Sequence, residues 1–243
     1  MRIFLLDNTY KGENLYKMKK KEITYINKVL RVQVGDSFAA KDSSDNYYKV
    51  TLIDEETLSC TLDDSYNDYL MDSLSKYRND IIKIHVYQAL CKGKKNETIA
   101  RMMAEAGVYN ITFVQSEFTQ VKALSNHDNE RIETIKKEAI QQSGSNTILE
   151  NPPVLHIYNI IPEINCPLLV LHQNANTKTL NERLIDLCGM KEIAILIGSE
   201  GGFSDEEIEY LEKQGALTTV LKTNILRAET AGIFAIGAIE SLL

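Results

Sequence analysis

The sequence predicts an α/β protein in two parts. A small β-rich domain covers residues 1–72, and a larger domain over 73–243 carries a mostly parallel sheet with helices on both faces. Three observations predict it. Short strand-like runs separated by turn signals fill the N-terminal stretch. From Ile81 onward, near-continuous apolar strands alternate with amphipathic helices, the pattern of a sheet buried on both sides. The 243 residues are 44% hydrophobic and 25% charged, with 12 Gly and 4 Pro, an ordinary globular composition long enough to bury a core without disulfides or metals.

In chain order, RIFLL, VLRVQVGDSFAA, YYKVTLI and TLSCTL read as strands, set apart by GD, DSSDN and DEE. A helical stretch over Tyr16–Leu30 interrupts them, because Ile23, Ile26 and Leu30 fall at helical spacing. The pattern changes between Asp72 and Asp80, where the domain boundary is expected. IIKIHVYQAL is then a buried strand, and Asn96–Ala106 a helix that Gly107 stops. NITFVQ follows as a strand. Asp128–Ser143 is a helix with Ile132, Ile135, Ala139 and Ile140 on one face, ended by Gly144. PLLVLHQ, a helix near Leu180–Leu187, EIAILIG, a helix Asp205–Gln214 closed by Gly215, and LTTVLK continue the alternation. The C-terminal helix is apolar nearly all round (Ile233, Phe234, Ala235, Ile236, Ala238, Ile239, Leu242), so it belongs in the core or in a subunit interface.

Several function classes drop out. No run approaches the roughly 18 uncharged apolar residues of a membrane span, and Asp7 interrupts the start before a signal-peptide core builds up, so a cytoplasmic chain with no membrane partner is expected. Cys60, Cys91, Cys166 and Cys188 lie far apart without His at ligand spacing. They indicate neither a zinc site nor a disulfide framework and read as small buried hydrophobes; no metal is expected. His85, His127, His156 and His172 form no metalloprotease or triad pattern, and only His172, ending the strand PLLVLH, stands where a ligand can sit, although a structural role explains it too. The net charge of −7 argues against a wholly basic nucleic-acid binder. Locally, Lys11, Lys17, Lys19, Lys20, Lys21, Lys28 and Arg31 face only Glu13 and Glu22, which makes either a phosphate-facing patch or a solvated face. The stretch Asp54–Asp72 carries seven acidic residues and no basic one, which would repel a polyanion or form a solvated face.

The most informative segment is IAILIGSEGGFSDEEIEYL. A buried strand ends at Gly198 and passes through Ser199, Glu200, Gly201 and Gly202 into a helix whose start is fixed by a Ser204–Glu207 capping box. Glycines at the carboxyl end of a parallel strand let a ligand approach the backbone, although a plain tight turn explains them too. The spacing excludes a dinucleotide fingerprint, a Walker loop and a nucleophile elbow. A second segment, LKTNILRAETAGIFAIGAIESLL, sets Arg227, Glu229 and Thr230 between a strand and the apolar helix; a local ion pair is the simplest reading of Arg227 with Glu229.

Together, IGSEGGFSDEE and ILRAETA resemble the paired signatures of the bacterial 16S ribosomal RNA uracil-N3 methyltransferases, of the SPOUT trefoil-knot class. INKVLRVQVGDSF, QALCKGKK and EAIQQSG resemble further elements of the same family, so the likeness covers most of the chain. The resemblance implies a PUA-like β-barrel that helps hold RNA, then a knotted α/β domain that binds S-adenosylmethionine, acting as a homodimer on 16S ribosomal RNA in an assembled small subunit. It implies cofactor contacts from Leu171, His172, Ile197, Gly198, Glu200, Gly201, Gly202, Leu221, Ile225, Leu226 and Arg227. Arg227 would orient the base or a phosphate, and Glu229, or else Glu200, would fix that arginine or accept the uridine proton. Arg31, Lys19, Lys20, Lys92, Lys94 and Lys95 would contact RNA. The sequence departs from the family pattern at Thr24 (usually His), Met102 (Lys), Phe118 (Arg), Ser145 (Arg) and Ser199 (Pro). The first four remove polar or cationic contacts from the side expected to face RNA. A binding protein that keeps the fold without turnover, a shifted RNA target, and a nucleotide-binding enzyme of ordinary doubly wound topology are the alternatives.

Overall fold

The computed structural model describes residues 3–44, 46–62, 82–173 and 177–243. The chain divides into two compact units, Met1–Asp80 with Gln141–Gly144, and Ile81–Ile140 with Ser145–Leu243. The expected boundary between Asp72 and Asp80, and the acidic run beyond Leu62, lie outside the described residues.

In the first unit, β1 (Phe4–Leu5), β2 (Leu15–Lys17), β3 (Ser37–Lys41), β4 (Tyr47–Leu52) and β5 (Thr57–Leu62) form one sheet in the order β1-β3-β4-β5-β2. Its core is aromatic. Tyr10 meets Tyr16 and Tyr48 edge-on, with ring centroids 5.8 and 5.3 Å apart, over buried Phe4, Ile26, Val50 and Leu58. The helix expected over Tyr16–Leu30 starts later, because Leu15–Lys17 pairs antiparallel with β5. Helix α1 (Lys20–Tyr25) is set by the buried Glu22, whose carboxylate accepts from the Tyr16 hydroxyl at 2.9 Å and from the Lys19 backbone N–H at 2.9 Å. A π-helical turn over Ile26–Leu30 follows and ends at Arg31, whose φ of 58° is the one left-handed non-glycine conformation among the described residues. That turn also shortens the next strand, expected from Val29, to Ser37–Lys41.

In the second unit, β6 (Lys83–Ala89), β7 (Asn110–Gln115), β8 (Leu155–His156), β9 (Leu168–Leu171), β10 (Glu192–Ile197) and β11 (Leu217–Thr219) pair in parallel, in the order β11-β9-β10-β6-β7-β8. The described helices are α2 (Lys95–Ala106), α3 (Asn126–Ser143), α4 (Leu180–Asp186), α5 (Asp205–Lys213) and α6 (Ala228–Leu242). Strands β6, β7, β9 and β10 contribute residues to two apolar clusters, one on each face of the sheet, which is why they read as continuous apolar runs. Two-residue β8 and the short 3₁₀ turns after it, Ile157–Asn159 and Ile161–Glu163, carry no periodicity and are not predicted from the sequence.

Helix α6, expected in the core or in a subunit interface, buries Gly232, Ala235, Ile236 and Ile239, while Phe234 and Leu242 stay 49% and 58% exposed in the single chain. Gly232 explains its close docking on α2, since a Cβ there would lie 2.5 Å from the Met103 methyl and 2.8 Å from Ile197 Cδ1. Of the cysteines, Cys60 and Cys91 are buried, but Cys166 is half-buried and Cys188, just past the end of α4, is exposed. Among the described residues no helix is long and apolar enough to cross a membrane, and no cluster of three His, Cys, Asp or Glu is arranged to hold a metal ion.

Candidate active site at the strand ends

Strand order places the site. The chain leaves β6 toward β7 and β8, but leaves β10 toward the opposite edge, where β9 and β11 lie. The crevice beyond the carboxyl ends of β6 and β10 is therefore a switch point, where open α/β sheets bind ligands. Three loops meet the requirement: 90–94 after β6, 116–120 after β7, and 198–203 after β10.

The β10 loop is built by its glycines. Gly202 holds φ at +71°, its N–H donates to the Ser199 carbonyl at 3.0 Å, and a Cβ on Gly198 would press on Gly202 Cα at 3.1 Å. A Cβ on Gly201 would stand 2.7 Å from Phe118 Cβ. The capping box then starts α5: Ser204 Oγ accepts from the Glu207 N–H, and Glu207 Oε2 accepts from the Ser204 N–H at 3.0 Å. The other oxygen of this buried carboxylate accepts from the Glu117 N–H at 2.7 Å, tying the β7 loop to the same helix end. Thr119 closes that loop by donating its hydroxyl to the Ser116 carbonyl at 2.6 Å, and Phe118 stands at its tip.

The β6 loop is locked from within. The Cys91 N–H donates to Asn96 Oδ1 at 2.9 Å and the Asn96 amide donates back to the Cys91 carbonyl at 3.0 Å. Buried Gln88 bridges the two strands by donating to the Ala89 and Gly198 carbonyls at 3.0 and 3.3 Å. Neither Gln88 nor Asn96 carries a sequence signal beyond its place near the strand end. Glu200 Oε1 accepts from Lys95 Nζ at 2.6 Å and from the Lys92 N–H at 3.3 Å. Partial burial pushes the Glu200 carboxyl up, but the Lys95 hydrogen bond and backbone donors outweigh it and hold the group below the usual carboxylate range. Burial, followed by the Glu200 charge, pushes the Cys91 thiol up to about 12, so it is no thiolate nucleophile.

Arg227 caps α6 through its carbonyl, which accepts from the Thr230 and Ala231 N–H groups. Its side chain is exposed, and no ion pair joins it to Glu229, against the simplest reading of that motif. Glu229 points inward instead. Its Oε2 is buried without a partner, and its charge is felt at Cys91 and Lys95. Gln88 Oε1 and Ser199 Oγ are likewise buried and unpaired, so three orphaned polar atoms gather around these strand ends. Each costs about 1–3 kcal/mol unless something bound pairs with it.

Of the remaining predicted residues, Leu171 and His172 are half-buried at the end of β9, with the His172 N–H donating to the Thr219 carbonyl at 3.0 Å. Ile197 is buried, Leu221 and Leu226 half-buried, and Ile225 is 81% exposed. Lys92 and Lys94 are exposed, while Lys95 is engaged by Glu200. In the first unit Lys19, Lys20 and Arg31 are exposed, and Lys19 pairs with Asp7 at 2.7 Å. Thr24 is exposed, Met102 half-buried, Ser145 buried and Phe118 46% exposed. A cleft of about 540 Å³ opens between Lys92, Phe118, Gln120, Glu200 and Gly201.

Comparison with known proteins agrees with this geometry. The family model for the RNA methyltransferase domain matches residues 78–240. The ribosomal RNA small subunit methyltransferase E of Buchnera aphidicola from Acyrthosiphon pisum is 25% identical over 99% of this chain and 93% of its own length. A Borreliella burgdorferi protein, ribosomal RNA small subunit methyltransferase E 2, is 28% identical over 72% of each chain. Among solved structures, a Legionella pneumophila putative methyltransferase in complex with S-adenosylmethionine superposes with a TM-score of 0.77 at 25% identity, over 98% of this chain and 96% of that one. The Neisseria gonorrhoeae ribosomal RNA small subunit methyltransferase E has the same fold, with a TM-score of 0.77 at 21% identity over 100% and 98% of the two chains. The matched span takes in every strand of the parallel sheet and all three loops at its switch point, and the chain belongs to the RNA methyltransferase domain family.

Proposed function

We propose that this chain methylates N3 of a uridine in 16S ribosomal RNA, using S-adenosylmethionine, on the assembled small subunit. The observation that carries the reading is the glycine turn at the β10 end with three orphaned polar atoms around it. It is a backbone cradle with unused hydrogen-bonding capacity, and it fits a polar cofactor held by main-chain groups. The residues that would hold it are Leu171 and His172, Ile197–Gly202, and Leu221–Arg227. Bound there, the cofactor supplies a methyl group already activated by a positive sulfonium.

The chain's own residues supply the rest. N3 of uridine carries a proton and sits on the pairing edge, so the base must be unpaired before it can react. Arg227, exposed and free of any carboxylate, orients the base and favours its anion. Glu229, whose Oε2 has no partner, takes the proton on this reading ahead of Glu200, which Lys95 keeps ionised and occupied. Lys92 and Lys94 meet phosphates, and the first unit, a PUA-like barrel on this reading, adds Lys19, Lys20 and Arg31. A trefoil knot enters this reading through the family resemblance. A homodimer is supported by the exposed Phe234 and Leu242 on α6.

The test is transfer of labelled methyl from S-adenosylmethionine to small subunits lacking uridine N3 methylation, with nucleoside analysis. N3-methyluridine is expected, and Arg227→Ala should abolish it without changing the fold. Cofactor binding without transfer would replace this reading with a shifted target or a binding module.

A further inference from the structure

We propose that Phe118 is a stacking platform for an RNA base, forming with Lys92 and Gln120 a nucleotide subsite on the side of the β10 turn opposite the cofactor. The inference rests on the methyltransferase reading and adds where the RNA base lies. The cofactor residues follow β9, β10 and β11, on one side of the 198–202 turn. The cleft lies on the other side, over the ends of β10, β6 and β7. Glu200 and Gly201 are shared by both sides, so a base in the cleft lies next to the bound cofactor, as a methyl acceptor must.

Phe118 has the attributes of a platform rather than of a core residue. It is 46% exposed at the tip of a loop whose backbone is fixed by the Thr119–Ser116 and Glu117–Glu207 hydrogen bonds. Gly201 packs against its root, leaving no room for a side chain between ring and turn. A pinned, half-exposed ring offers stacking area at little entropic cost. Lys92 supplies a cation for the attached phosphate, and the exposed Gln120 supplies a donor and an acceptor for a base edge. Stacking of one base on an aromatic ring corresponds to roughly 5- to 150-fold in affinity.

The chain contains no tryptophan, so Phe118→Trp introduces one tryptophan at the proposed contact, which can be excited selectively over the 12 tyrosines. Its emission should be quenched saturably by a uridine-containing RNA fragment of the small-subunit type, beyond any change that S-adenosylmethionine alone produces. In parallel, Phe118→Leu should raise the KM for the RNA substrate at least 5-fold, with cofactor affinity unchanged, while Phe118→Trp stays near wild type. No quenching by the RNA fragment, or a Phe118→Leu enzyme with a wild-type KM, overturns the subsite and leaves the methyltransferase reading standing. A wild-type chain that neither binds the cofactor nor transfers methyl overturns both.

Discussion

Replacing Gly201 by alanine tests how the glycine turn and the β7 loop share space. Gly201 does not need a left-handed backbone, so the effect of a methyl group there is steric. The added Cβ would lie 2.7 Å from Phe118 Cβ, 3.5 Å from its Cγ and 3.7 Å from its carbonyl oxygen. Ordinary carbon contacts are about 3.5–4.0 Å, so the two loops must part by about 1 Å. The obstacle is the root of the Phe118 side chain, which no rotamer change removes, on a backbone pinned through Glu207 and Thr119. Overpacking of this kind costs about 1–3 kcal/mol, and a shift of about 1 Å in a reacting site can cost about 100-fold in rate. Urea unfolding and methyl transfer on the same preparations measure the two. Gly215→Ala is the control: Gly215 has a φ of +88° with open space around it, so the strain lowers stability by about 1 kcal/mol and leaves transfer unchanged. A Gly201→Ala enzyme with the wild-type unfolding midpoint and rate would refute the argument.

Other outcomes follow from the same contacts. Lys136 is fully buried and donates to the Ile148 and Glu150 carbonyls at 3.1 Å, and burial lowers its ammonium to about 8 from 10.5. The folded state therefore binds fewer protons than the unfolded one between those values. This residue disfavours folding below pH 8, and about 3 kcal/mol of stability is recovered as pH rises to 10.5. Lys136→Met should remove that rise; parallel stability curves for the two proteins from pH 7 to 10.5 would contradict it. Gln88→Leu deletes the amide that bridges Ala89 and Gly198 and should weaken cofactor binding about 10-fold by calorimetry, at a stability cost of about 1 kcal/mol. Glu207→Gln leaves one of two backbone donors without an acceptor and should lower stability by about 1–2 kcal/mol, read as a lower thermal midpoint.

Much of the second unit was legible because its signals are local. The apolar runs IIKIHVYQAL, NITFVQ and EIAILIG became β6, β7 and β10, with NITFVQ matched residue for residue, and Ser204 with Glu207 marked the start of α5. The first unit was less legible because pairing overrode propensity. Leu15–Lys17 sits in a helical pattern but pairs with β5, and the π turn at Ile26–Leu30 has no sequence period of its own. Which face of α6 packs within the chain was not legible for a similar reason, since composition reports how apolar a helix is and not which side its neighbours reach.

The site divides along the same line. The sequence alone determined that a glycine turn follows a buried strand and that Arg227 and Glu229 precede an apolar helix, because turns, caps and strand ends are set by residues close in the chain. Tertiary structure decided which loops face one another. Strand order brought Lys92, Phe118 and Glu200 to one cleft from three separate parts of the chain. It engaged Glu200 with Lys95, and it put an exposed ring where the sequence pattern registers only a missing cation. Such pairings depend on sheet order and loop packing, which no local spacing encodes.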